Sequence, residues 1–358
     1  MQIHQVLVTA SPGDAITNSA LELRDLLRRV ATSDVFAHYI HPAVADEVVP
    51  LHEYDRRGVT HEHDDLLLFH ASIGEPHVFS FISERPERLV LVYHNISPHW
   101  PFLPYDPAFA GLLQAGRQEL AALRDRVVLA LADSQFNADE LLALGYQDVR
   151  VARLIVDTEW MTALEPDAQM TEWLDEIEGP VLLFVGQILP HKRPDYLLKA
   201  FHILVTYLCP DAHLLLVGAH RLLAYSRALE AFRRELNLGA ASFRGALEDA
   251  AWVAHYRRAD VFVTASEHEG FLVPLVESMT FDLPIVARAH GAIPETLGNA
   301  GVLLPPDDDP VLMAEALAEV LSRAALRDEL VSRGRRRLEE FHPDRARRDV
   351  LRHIESVI

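Results

Sequence analysis

Apolar strand-like runs alternate with amphipathic helical runs through both halves of the 358-residue chain. That alternation predicts an α/β fold. The length exceeds the size at which a single core keeps growing, so two Rossmann-like domains of roughly 170 residues each are expected, facing a central cleft. A third observation says where a ligand would sit. Residues 261–265, Val-Phe-Val-Thr-Ala, read as a strand, residues 266–273 as a turn and residues 274–281 as a helix that opens on Pro274. Proline suits the first helical position, where no backbone N–H is needed. In open α/β sheets ligands bind at that end of the strands.

The chemistry of this turn is specific. Gly270 permits close backbone approach. The N–H groups of Phe271, Leu272 and Val273 would be free donors near a helix N-terminus, which is an anion site. Glu269 lies in the turn and Glu277 one turn into the helix, so two carboxylates can face one groove from different depths. Ionised carboxylates accept hydrogen bonds from hydroxyls. A phosphate site with hydroxyl acceptors on both sides fits a nucleoside diphosphate joined to a sugar. The plain alternative is a strand–turn–helix with two solvated glutamates.

Composition narrows the classes. The formal net charge is −20, which argues against nucleic acid and against broad adhesion to anionic lipid. With 49% hydrophobic and 24% charged residues the chain reads as soluble and globular. No apolar run reaches the ~18 residues of a membrane span. The first residues, Met-Gln-Ile-His, lack the basic region and apolar core of a signal peptide. The single Cys209 excludes an internal disulfide and fits a reducing, cytoplasmic setting. The basic run Arg333-Gly334-Arg335-Arg336-Arg337 reads as a solvated helix face.

Taken in order, residues 5–10 are a first strand, 11–14 a turn and 15–30 a helix, with Leu23, Leu26, Leu27 and Val30 on one face. No G-x-G-x-x-G is present, which disfavours a dehydrogenase. Residues 35–40 read as a strand and 42–65 as an acidic, irregular stretch. There His61 and His63 could ligate a metal or simply lie in a solvated loop. Residues 66–70, 89–93, 127–132 and 149–156 are further strands. Helices are expected over 109–123 and after Ser134, a good N-cap. Residues 98–107 form a loop rich in proline and aromatics, able to stack on a sugar or to cap the domain. Residues 157–179 read as a linker with room for a short helix. The first domain is thus 1–165, joined by the terminal helix 344–358; the second is 175–343. Within it, 180–186, 213–218, 242–245, 261–265 and 284–288 are strands, while 195–208, 222–236, 247–258 and 309–339 are helical.

Glu269-x7-Glu277, with Gly270-Phe271 after the first Glu and Pro284-Ile285-Val286-Ala287 further on, resembles the donor motif of retaining, family 4 glycosyltransferases of the GT-B fold. The likeness covers most of residues 180–305. The longer string Ser-Glu-His-Glu-Gly-Phe-x-Val-Pro-Leu-x-Glu is similar to a bacterial branch that builds polysaccharides and related glycoconjugates. Tyr93-His94-Asn95-Ile96-Ser97-Pro98 resembles the same branch, and Asp133-Ser134-x-x-Asn137 its following turn.

The resemblance implies a nucleoside-diphosphate sugar as donor, a saccharide or glycolipid acceptor, and no metal or other cofactor; peripheral contact with a membrane is left open, since so acidic a chain would need a local apolar or basic patch for it. It implies that His94 approaches the reactive part of the donor sugar and that Gly13, in the first loop, adjoins the diphosphate. Glu277 would hold ribose hydroxyls and Glu269 those of the transferred sugar. The family's Arg and Lys after the first strand of the second domain bind the diphosphate. Lys192 matches the Lys, but Gln187 stands where Arg is usual, losing a charge and the bidentate fork. Arg193 is the nearest basic residue to compensate. Two other readings follow: a partner subunit that keeps the fold without turnover, which Gln187 favours, and a nucleotide-sugar epimerase, which the two-glutamate motif disfavours.

Overall fold

The computed structural model describes residues 1–60 and 64–358. His61 and His63 lie outside the described residues. The chain forms two compact units. The first comprises Met1–Leu103, Pro107–Val156 and His342–Ile358; the second comprises Pro104–Asp106 and Asp157–Phe341.

The first unit runs β1 (Ile3–Ala10), α1 (Ala15–Leu27), β2 (Val35–Ile40), β3 (Val49–Pro50), β4 (Leu66–Ala71), α2 (Pro76–Glu84), β5 (Arg88–Tyr93), α3 (Pro107–Leu123), β6 (Val127–Ala132), α4 (Gln135–Ala143) and β7 (Val149–Val151). Its seven strands are all parallel, in the order β3-β2-β1-β4-β5-β6-β7. Parallel strands are covered on both faces, so they are apolar almost throughout; β4, Leu-Leu-Leu-Phe-His-Ala, is buried at every position. The direction of strand succession reverses between β1 and β4, the switch point of this sheet.

The second unit runs α5 (Glu159–Ala163), α6 (Ala168–Asp175), β8 (Val181–Val185), α7 (Pro194–Ile203), β9 (His213–Val217), α8 (Leu223–Glu235), β10 (Ala241–Gly245), α9 (Asp249–Arg258), β11 (Val261–Thr264), α10 (Val273–Thr280), β12 (Ile285–Arg288), α11 (Ile293–Leu297), β13 (Val302–Leu304), α12 (Pro310–Ser322) and α13 (Ala324–Leu338). Its six parallel strands are ordered β10-β9-β8-β11-β12-β13, with the switch point between β8 and β11. The last helix, α14 (Pro343–Glu355), returns to the first unit. Its buried Ala346, Val350 and Ile354 recur at the helical repeat, while Arg345, Arg348 and Arg352 face outward. Val350 and Ile354 enter the core around Leu23, Leu27, Leu66 and Leu129.

Four expectations change. The strand expected over 149–156 ends at Val151. The segment read as a linker with room for one short helix carries two, α5 and α6. Residues 157–165 group with the second unit, because Met161 is buried and Arg257 Nη2 donates to the Thr162 and Leu164 carbonyls at 3.2 and 2.9 Å. The helix expected over 309–339 is two helices, broken where Arg323 adopts an extended backbone.

Candidate functional site

Two loops meet at the switch point of the second unit. One follows β8 and carries Gly186, Gln187 and Lys192; the other joins β11 to α10 and carries Glu267, Glu269 and Gly270. Their backbones are tied where Glu267 N donates to the His191 carbonyl at 2.8 Å. Lys192 Nζ donates to Glu269 Oε1 at 2.7 Å, and the two side chains are only 16% and 9% exposed. A cation and an anion from opposite sides of the switch point are therefore already paired. Removing either would leave a largely buried charge uncompensated. Next to Lys192, burial holds the His191 imidazole well below its ordinary range, with Lys192 and His268 adding to the effect.

Glycines make this close packing possible. Gly218, after β9, approaches so closely that a Cβ there would lie 1.9 Å from the Gly186 carbonyl oxygen. Gly291, at φ +56°, lies under Glu269, where a Cβ would come 2.5 Å from its carbonyl oxygen and 2.8 Å from its nitrogen. The Glu269 carbonyl is further fixed by Ala292 N at 2.9 Å.

The entry to α10 is unusual. Leu272, its N-cap residue, is left-handed at φ 69°, and no side chain caps the helix. Apolar side chains rarely adopt that conformation, and such strain persists only where the surroundings impose it. Here Phe271 packs edge-on against Phe341 at 5.7 Å, and Thr296 Oγ1 donates to the Phe271 carbonyl at 2.7 Å. The outcome is an N-terminus whose N–H groups, from Gly270 through Val273, lie beside Glu269 in sequence and are left without a side-chain cap.

Glu277 sits one turn on. The Tyr256 hydroxyl donates to its Oε2 at 2.7 Å, and Tyr256 stacks on Phe281 at 5.1 Å. Burial pushes the Glu277 carboxyl up to about 7, against the opposing pull of the Tyr256 hydrogen bond. The residue as a whole is nevertheless half-buried rather than sealed.

Arg193 does not stand ready to replace the charge missing at Gln187. It is left-handed, and its guanidinium is turned onto Asp195, with Nε and Nη2 at 3.0 and 3.1 Å, and onto Glu267 through Nη1. Arg288 is likewise engaged, with Asp308 at 2.6 Å and Glu267 at 3.6 Å, and its guanidinium lies over Tyr196. The loop after β9 adjoins the Gln187 loop, Ile188 N donating to the Ala219 carbonyl at 3.0 Å, and it carries the exposed Arg221.

In the first unit Gly13 is a left-handed, exposed turn residue with open space around its Cα. Asp14 beside it caps α1 by accepting from Thr17 N at 3.0 Å. The His94 ring faces inward. Its Nδ1 lies 2.9 Å from Asp133 Oδ2 and its Nε2 lies 2.8 Å from His70 Nδ1, so both ring nitrogens are occupied within the protein. The sequence reading missed His70, Gln5, Tyr256 and Gly291. The signal for the first two was a polar residue inside an otherwise apolar strand. Among the described residues, no group of three or more His, Cys, Asp or Glu is placed to hold a metal ion, and no helix is long and apolar enough to cross a membrane.

Residues 169–337 match the family model described as glycosyl transferases group 1. The chain is 30% identical over 233 residues to a D-inositol 3-phosphate glycosyltransferase of Geodermatophilus obscurus, a match covering 62% of this chain and 50% of that protein. It is 24% identical over 267 residues to O-antigen chain mannosyltransferase B of Escherichia coli, covering 73% and 68% of the two. The chain thus spans about half the length of the inositol-phosphate relatives it matches. In structure it is similar to HepE of Anabaena, solved with UDP and glucose, with a TM-score of 0.77, 17% identity, and coverage of 99% of this chain and 100% of that one.

Proposed function

We propose, for a GT-B-fold chain whose residues 169–337 match the glycosyl transferases group 1 model, that it transfers a hexosyl group from a nucleoside-diphosphate sugar to a saccharide, lipid-linked saccharide or small glycoconjugate, with retention and without a metal. The observation that carries the reading is the Lys192–Glu269 pair at the switch point, beside an uncapped helix N-terminus and with Glu277 one turn further. Glu277 accepts from the ribose hydroxyls. Glu269 accepts from hydroxyls of the transferred sugar, and the N–H groups of residues 270–273 meet the phosphate side. Lys192 stabilises the nucleoside diphosphate as the glycosidic bond breaks, an electrostatic role. Gln187 contributes hydrogen bonds without charge, and Arg221 is the basic residue to test as its complement. Relatives bear on the nucleotide: one is named a GDP-mannose-dependent alpha-mannosyltransferase, whereas HepE was solved with UDP.

One observation favours a second reading, a partner subunit without turnover: Gln187 lacks the charge, and Arg193 is committed to Asp195 and Glu267. The experiment is a thermal-shift panel of GDP, UDP, ADP and their sugar conjugates in EDTA. A ligand that binds only the native state raises Tm by mass action. We expect one nucleotide to raise Tm and Glu277→Ala to abolish the rise. No shift at millimolar nucleotide would sink the donor-site reading and favour the subunit.

A further inference from the structure

The first unit buries a line of polar side chains that runs through His94. Gln5, His70, His94 and Asp133 come from β1, β4, the end of β5 and the end of β6, four neighbours in the sheet order. All four side chains are inside: Gln5, His70 and Asp133 are buried, and the His94 side chain is 2% exposed. Gln5 Nε2 donates to the Ala20 carbonyl of α1 at 3.0 Å. Gln5 Oε1 lies 2.9 Å from His70 Nε2, His70 Nδ1 lies 2.8 Å from His94 Nε2, and His94 Nδ1 lies 2.9 Å from Asp133 Oδ2. The two rings are nearly parallel, at 11°, with centroids 5.1 Å apart. At so short a nitrogen–nitrogen distance that separation sets them end to end in one plane, as a straight hydrogen bond requires.

The line can be read from its ends. A backbone carbonyl only accepts, so the Gln5 amide nitrogen faces Ala20 and its oxygen faces His70. His70 Nε2 must then carry a hydrogen. At the other end the carboxylate of Asp133 accepts, so His94 Nδ1 carries one too. The bond between the rings needs a third hydrogen, and two neutral imidazoles supply only two. One extra proton is therefore built into the line. It belongs on His94: Asp133 is beside that ring, while burial, and then the neighbouring His94, hold the His70 imidazole well below its ordinary range.

We propose that Gln5 and His70 hold His94 as a doubly protonated imidazolium paired with Asp133, and that this line acts as a positioning device for the turn that follows β5. The turn is braced from several sides. Asn95, left-handed at φ 75°, donates through Nδ2 to Asn137 Oδ1 at 2.7 Å, Ile96 N donates to the Tyr93 hydroxyl at 3.2 Å, and Arg117 Nη2 donates to the Ile96 carbonyl at 2.5 Å. A small cavity beside the rings is bounded by Ser19 of α1, Val350 of α14 and Arg153 after β7. Among the described residues that line this cavity, the charged ones besides the histidines are Asp133 and Arg153. Loss of the extra proton leaves two lone pairs opposed between the rings. The His70–His94 link then opens, and the turn loses this side-chain tie to β4, keeping the backbone bond from His94 N to the Ala71 carbonyl at 3.0 Å. This holds whether or not the donor reading stands.

The test is side-chain NMR on the full chain labelled with 15N-histidine near neutral pH, the signals assigned with His94→Gln and His70→Gln. The expected spectrum has both ring nitrogens of His94 in the protonated pattern and His70 neutral with its hydrogen on Nε2. Gln5→Leu frees His70 to carry its hydrogen on Nδ1, so the His94 pattern should change to that of a neutral ring, a switch that packing alone would not produce. A neutral His94 in the unsubstituted chain overturns the proposal, and so does an unchanged His94 pattern in folded Gln5→Leu. If Gln5→Leu does not fold, the spectrum of the unsubstituted chain still decides.

Discussion

Glu277 couples the candidate site to pH. Burial raises its carboxyl from 4.5 to about 7. Between those values the folded chain holds a proton that the unfolded chain has released, so stability falls as pH rises through the window, by up to about 3 kcal/mol. Glu277→Gln removes the titration while keeping an acceptor for the Tyr256 hydroxyl. We expect it to flatten the profile, with a gain over the parent chain at pH 8 that shrinks toward pH 5, read by urea unfolding at both. An equal offset at the two pH values would show that the carboxyl does not titrate there. In the proposed role Glu277 accepts from a ribose diol in its ionised form, so nucleotide affinity should tighten as pH rises through about 7 and should lose that dependence in Glu277→Gln.

At the scale of elements, the β11–α10 connection depends on a glycine outside it. Gly291→Ala would set a methyl against the Glu269 backbone at a left-handed position. Glu269 must then move, and with it the partner of Lys192. The expected outcome is a loss of about 1–3 kcal/mol in stability together with loss of the nucleotide-dependent rise in Tm; retention of the full rise would show that Glu269 can shift without consequence. Much of this element was legible. Val-Phe-Val-Thr reads as a strand because a parallel strand is apolar on both faces, and Pro274 marks the helix start within a residue. The partnership of Lys192 and Glu269, 77 residues apart, was not legible as a contact, since it depends on β8 and β11 being neighbours. The line through Gln5 was hidden for the same reason, as it joins residues only through sheet order. β3 escaped because two residues carry no periodic signal, whereas α2 was passed over although its buried Val78 and Ile82 stand at helical spacing.

Across the whole molecule, the first unit is assembled from segments far apart in the chain. Ile354 is fully buried and belongs to the core cluster that includes Leu27, Leu66 and Leu129, and Arg347 Nη2 reaches Glu22 Oε2 at 3.0 Å. Ile354→Ala should cost about 2–5 kcal/mol. Because each unit has its own sheet and core, calorimetry should show the loss in the transition of the first unit while the second keeps its midpoint; an equal fall in both would mean that the units melt as one. The return of α14 also bears on synthesis. The apolar side chains of α1 and the sheet that receive Val350 and Ile354 leave the ribosome more than a full unit before those residues exist. The second unit, begun later, has all of its strands first. The nascent first unit must therefore wait with an uncovered flank until α14 has been made.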